Sequence, residues 1–121
     1  CGDGVEHLTI ANRNVEKAQV LAELLAKEAE FSAVSTLPLE QTSGAGVDMI
    51  INSTSLGLSA DDMLPLALDH VGKDTVIADI IMVPADTKWL KEAASRGLPI
   101  HHGRHMLDCQ IDLIGKFISA F

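Results

Sequence analysis

Val47-Asp48-Met49-Ile50-Ile51-Asn52-Ser53-Thr54-Ser55-Leu56-Gly57 is the stretch that decides the fold. Its first half, Val47–Asn52, is a compact apolar run, as expected of a strand buried on both faces. Its second half turns small and polar, as a loop leaving the carboxyl end of such a strand does. A strand of that kind belongs to a parallel sheet flanked by helices, so its neighbours should alternate between β and α patterns. Upstream, Val5–Ala11 reads as a strand and Val15–Ala29 as a helix. In that helix Ala18, Leu21, Leu24, Leu25 and Ala29 share one face, and Glu16, Lys17, Glu23 and Lys27 the other. Phe31–Leu37 is a short strand, followed by a loop around Thr42–Gly46. Downstream, Ser53–Leu64 is loop, Leu66–His70 one turn of helix and Thr75–Ile81 a strand. Asp86–Arg96 is helical with Gly97 as its C-terminal cap, Leu98–His101 is a strand, and Arg104–Phe121 is a closing helix. Met106, Leu113, Ile114 and Phe117 share one face of that last helix. The pattern is α/β: a Rossmann-like, mostly parallel sheet with flanking helices, in one domain without repeats.

Composition narrows the function. Of 121 residues, 47% are hydrophobic and 21% charged, which supports a packed core rather than disorder. The net charge of −8 argues against a nucleic-acid or anionic-membrane surface, which needs clustered Lys and Arg. With 3% aromatics and no Tyr, a stacking platform for bases is also disfavoured. No apolar run reaches the roughly 18 residues of a spanning helix, and no export signal is present. The two cysteines, Cys1 and Cys109, have no framework spacing and fit a reducing, cytoplasmic compartment. Cys109 reads as a small buried hydrophobe. The chain opens Cys1-Gly2-Asp3 rather than with Met, so it is expected to be a piece of something longer.

Four clusters could carry chemistry. The first, Asn12-Arg13-Asn14 with Lys17, follows a strand and opens a helix. In dinucleotide-binding sheets an acidic residue here bonds the adenosine ribose of NAD, whereas a cation favours the 2′-phosphate of NADP. Arg13 can fork onto a phosphate or stack on adenine, and Lys17 adds a point charge. A solvated helix start capped by Asn12 or Asn14 accounts for the same residues. The second cluster is Asn52–Gly57, whose small residues permit close approach to a flat ring but also describe an ordinary turn.

The third cluster is Asp79-Ile80-Ile81-Met82-Val83-Pro84, then Thr87. A carboxylate inside an apolar strand needs a partner, so Asp79 belongs to a structural hydrogen-bond network or to a site. Pro84 ends the strand, and Asp86 or Thr87 caps the next helix. The fourth is Gly103-Arg104-His105-Met106-Leu107 with Gln110. Gln110 falls on the apolar stripe of its own helix, where a buried amide must be satisfied by a backbone carbonyl or a substrate hydroxyl. His101, His102 and His105 form no helical pair of ligands, and no Cys or carboxylate completes a metal set.

Taken in order, these clusters resemble the cofactor domain of the shikimate and quinate dehydrogenase family. The likeness runs over nearly the whole chain, most specifically in Asn52-Ser53-Thr54-Ser55-Leu56-Gly57 and Gly103-Arg104-His105-Met106-Leu107…Gln110. The resemblance implies a two-domain enzyme that moves a hydride between NADP and a ring alcohol such as shikimate or quinate. It implies that Asn12, Arg13 and Lys17 hold the 2′-phosphate and that Thr54, Ser55 and Leu56 line the cofactor near its nicotinamide half. Gly103 and Met106 would contact the nicotinamide, and Gln110 would reach the substrate. The chain departs from the family in having Met82 where a Tyr is usual and Asn14 where a Thr is usual.

Two family landmarks are also absent from the sequence: the glycine-rich pyrophosphate turn and the substrate domain with its catalytic Lys and Asp. Cys1-Gly2-Asp3-Gly4 does not supply that turn. Without the central strand that carries it, the Val5–Ala11 and Val47–Asn52 strands would face a vacancy or pair directly. The expectation is a fragment whose missing N-terminal domain belongs to the same protein, or a chain that fills the gap by rearrangement or self-association. Alone it should lack catalytic residues and bind NADP weakly, since the helix N-terminus that would receive the pyrophosphate is missing. The rivals are a non-catalytic nucleotide- or phospholigand-binding module and an interaction domain that pairs through its sheet edges.

Overall fold

The structure, a computed structural model, describes residues 6–28, 33–59 and 61–118. Cys1–Gly4, the Val5 start of the first strand, Ala29, Phe31 and the last residues of the closing helix lie outside them. The chain forms two compact units, divided after Thr42.

In the first unit, β1 (His7–Asn12) and β2 (Ala33–Pro38) run parallel, with His7 opposite Ala33 and Asn12 opposite Pro38. The connection between them contains α1 (Val15–Glu28), as parallel pairing requires. Cross-strand hydroxyl contacts tie the ladder: Ser35 Oγ lies 3.1 Å from both His7 Nε2 and Thr9 Oγ1. The face that α1 covers is Val15, Ala18, Ala22 and Leu25, with Ala18 fully buried. Leu21 and Leu24, assigned to that face by spacing, are instead exposed. Small alanines let a helix approach a sheet closely, and leucines one position further round are left outside.

In the second unit, β3 (Met49–Asn52), β4 (Val76–Asp79) and β5 (Ile100–His101) form a parallel sheet in the order β3-β4-β5. Its helices are α2 (Lys88–Ser95) and α3 (Gly103–Phe117). The core gathers Leu68, Ile77, Trp89, Leu90, Ala93 and Leu98, with Ile50, Leu64, Leu66, Val71 and Ile100 packed against it. Thr87 caps α2 by accepting the Leu90 N–H, and Gly97 closes that helix at φ +76°, as its position predicts.

Several expectations change. Leu66–His70 is turn rather than helix. Pro65 precedes it, and the Leu66 carbonyl accepts the Trp89 indole N–H at 2.9 Å instead of a helical amide. β3 is not buried on both faces: Ile50 and Asn52 point inward, while Met49 and Ile51 are 50% and 57% exposed. It is an edge strand, bonded on one side to β4. The apolar face of α3 is also uncovered, with Leu113 at 67%, Ile114 at 58% and Phe117 at 90% exposure. Cys109 and Gln110, both expected inside, are exposed on the same helix. Periodicity identifies an apolar face; it does not supply the surface that covers it. Among the described residues no helix is long and apolar enough to cross a membrane.

Candidate functional site

In parallel sheets, ligand-binding residues gather at the carboxyl ends of strands, and the polar clusters of this chain lie at such ends. In the first unit β1 finishes at Asn12, and the turn into α1 is built by asparagines. Asn12 Oδ1 accepts the Asn14 N–H at 3.2 Å, and Asn14 Oδ1 accepts the Lys17 N–H at 3.3 Å. Asn14 therefore acts as the helix cap, and Asn12 as the turn residue before it. Arg13 and Lys17 are exposed and make no salt bridge among the described residues. Arg13 also lines an open hollow with Asn14, Val15 and Glu16. Two exposed cations at a helix start suit a phosphate, and Glu16, which lines the same hollow, is a like-charged neighbour such an anion would meet.

In the second unit the ends of β3 and β4 are joined by a buried polar chain. Asn52, Asp79 and Thr87 are 3%, 2% and 0% exposed, and the bonds among them are buried. The Asn52 amide donates to Asp79 Oδ1 at 3.2 Å and to the Leu56 carbonyl at 2.9 Å. Asp79 also accepts the Ile81 N–H at 3.1 Å and the Thr87 hydroxyl at 2.9 Å. The Asp79 network anticipated from sequence is thus present, and it is structural. Thr87 stands in the expected cluster and caps α2 as expected, but its bond to Asp79, and the part played by Asn52, depend on the β3–β4 register, which spacing does not reveal.

The loop that follows Asn52 is shaped by short-range bonds. Asn52 Oδ1 accepts the Thr54 N–H at 3.0 Å and the Thr54 hydroxyl at 2.7 Å, and Thr54 Oγ1 accepts the Leu56 N–H at 3.2 Å. Asp62, a residue that the sequence did not single out, accepts the N–H groups of Gly57 and Ser59 through Oδ2, each at 3.0 Å. These two donors hold its carboxyl below the ordinary aspartate pKa. Thr54 and Ser55 are exposed and Leu56 is partly buried.

Gly103 opens α3 against the end of β4. A Cβ there would lie 2.5 Å from the Ile80 carbonyl oxygen and 2.7 Å from that of Ile81, so only glycine fits. That close approach explains the residue without a ligand. Met106 and Gln110 lie on the exposed side of α3 and make no polar contact among the described residues. His101 and His105 stack with ring centroids 4.9 Å apart, and His102 Nε2 lies 2.6 Å from Asp86 Oδ1. Among the described residues no group of three His, Cys, Asp or Glu is placed to hold a metal.

Comparison with known proteins finds relatives over most of the chain. A shikimate dehydrogenase (NADP(+)) from Rhodopseudomonas palustris (strain HaA2) is 38% identical over 104 residues. The likeness is to shikimate and quinate dehydrogenases. It covers 86% of this chain but 36% of that shikimate dehydrogenase, so the chain spans about a third of the length of the curated relatives it matches. Among solved structures, a shikimate dehydrogenase in complex with NADP+ is 31% identical with a TM-score of 0.74, over 84% of this chain and 37% of its own. A 5-ketofructose reductase of Gluconobacter sp. strain CHM43 is 33% identical with a TM-score of 0.73, over 86% of this chain and 38% of its own. No family model matches the sequence.

Proposed function

We propose that this chain is the NADP-binding portion of an oxidoreductase of the shikimate and quinate dehydrogenase type, acting on a ring alcohol. The observation that carries the NADP reading is the end of β1, where Arg13 and Lys17 are exposed and make no salt bridge among the described residues and Asn12 stands where an acidic residue would favour NAD. The NADP(+) names and complexes of similar dehydrogenases support it.

On this reading Asn12, Arg13 and Lys17 hold the adenosine 2′-phosphate, and Thr54, Ser55 and Leu56 line the nicotinamide half. Gly103 and Met106 contact the nicotinamide, and Gln110 reaches the substrate. The cofactor, when bound, supplies the hydride acceptor. This chain's own residues bind and orient it. On this reading the group that manages the proton of the alcohol belongs to the substrate domain, where the family resemblance puts its catalytic Lys and Asp. Met82 in place of the usual Tyr leaves the substrate open to alcohols other than shikimate. A cytoplasmic location and self-association belong to the same proposal; the free thiol of Cys109 fits the first, and the exposed edge strands and helix faces fit the second.

Reversing the charge pattern tests the assignment. In the native polypeptide, Arg13→Asp with Lys17→Ala should lower the ratio of kcat/KM for NADP over NAD by about ten- to a hundredfold, the worth of one or two charge-assisted hydrogen bonds. An unchanged ratio would refute it. The exposed cations at the start of α1 suit a second reading equally, a phospholigand-binding module without hydride transfer. Binding of NADP with no reduction by shikimate or quinate would select that reading.

A further inference from the structure

The loop after β3 has an unusually complete account of its amides. From Thr54 to Ser59, residue 54 donates to Asn52, 56 to Thr54, 57 and 59 to Asp62, and 58 to the Ser55 carbonyl at 3.2 Å. Among the described residues, Ser55 alone in this run has an N–H without an acceptor inside the chain. Ser55 is exposed, so its N–H is open to water or to a ligand, while the rest of the loop's shape is fixed by its own bonds.

The two ends of the loop are held differently. Asn52 is locked by the buried Asp79 network. The far end depends on Asp62, whose own N–H returns a bond to the Ser59 carbonyl at 3.1 Å. Gly57, at φ +116°, adopts a backbone conformation that the chain has no intrinsic reason to keep. Among the described residues, the Asp62 carboxylate is what bridges Gly57 and Ser59 across it.

We propose that Asp62 is a positioning residue for the cofactor: it holds the Thr54–Ser59 loop in the shape in which Thr54, Ser55 and Leu56 meet the nicotinamide half. This rests on the NADP reading above. Because both N–H groups fall on one oxygen, Asp62→Asn can keep the bonds through its carbonyl, in weaker form, while Asp62→Ala cannot.

The test is steady-state kinetics of the native polypeptide together with amide hydrogen exchange. Asp62→Ala should raise KM for NADP about tenfold, as follows if the competent loop falls to about a tenth of the population. Its kcat at saturating NADP should stay near wild type, and Gly57 and Ser59 should lose exchange protection. Asp62→Asn should fall between the two in both readouts. If Asp62→Ala does not fold, the Asn variant decides: faster exchange at Gly57 and Ser59 with a raised KM supports the proposal, and wild-type KM overturns it. A lowered kcat with unchanged KM also overturns it. A wild-type protein that binds no NADP defeats the cofactor reading itself, an outcome distinct from a wild type that binds beside an Asp62→Ala variant with the same KM.

Discussion

Asp79 shows how a single side chain can organise several segments. Its carboxylate collects three donors, from the end of β3, from the backbone beyond β4 and from the cap of α2. Asp79→Ala would leave one of the two Asn52 amide N–H bonds, the Thr87 hydroxyl and the Ile81 backbone N–H without their acceptor. The expected loss is about 3 kcal/mol or more, read as a lower urea midpoint of the chain with little change in slope. Asp79→Asn should cost less, since its carbonyl oxygen still accepts. That Asp79 needed partners was legible in the sequence, because a carboxylate in an apolar run has few options. Asp62 was not, although the signal is visible in retrospect. Gly57, Ser59 and Asp62 are spaced as a turn in which a short carboxylate bonds nearby amides. Gln110 and Cys109 misled for the opposite reason. Gln110 shares a stripe with Met106, Leu113 and Phe117 that the chain does not cover, and Cys109, read as a small apolar residue, sits on the same exposed helix.

At the scale of elements, strands and helices emerge close to where periodicity placed them, because runs such as Thr75–Ile81 and turn residues such as Gly97 are local signals. α2 is well covered, with Trp89, Leu90 and Ala93 buried. α3 is attached differently: its buried residues are Gly103 and Gly115, and its approach to β4 rests on a backbone contact. Gly103→Ala should therefore push the start of α3 away from Ile80 and Ile81 and destabilise the second unit by about 1–3 kcal/mol, the usual cost of overpacking. Thermal unfolding followed by circular dichroism measures it. A variant as stable as wild type would mean that the contact can relax at no cost. The sequence contains the glycine but not the carbonyls it must avoid, since those are brought near only by the β4–β5 register.

For the whole molecule, charge and exposed apolar surface act in opposition. Val20, Leu21 and Leu24 on α1, Met49 and Ile51 on β3, and Leu113, Ile114 and Phe117 on α3 are all exposed. The net charge of −8 opposes association, and added salt screens it. Sedimentation velocity of the isolated chain should show concentration-dependent association that strengthens from low to high salt; a monomer at every concentration would count against exposed apolar faces as sticky surfaces. One feature of the second unit offers a way to watch the chain's parts separately. Trp89 is the single tryptophan, the chain has no tyrosine, and the indole lies buried in the Ile77–Leu90 core with its N–H bonded to Leu66. Intrinsic fluorescence therefore reports the unfolding of that core alone, whereas backbone circular dichroism reports helices of both units. Noncoincident transitions from the two signals would reveal two independent folding units in one chain.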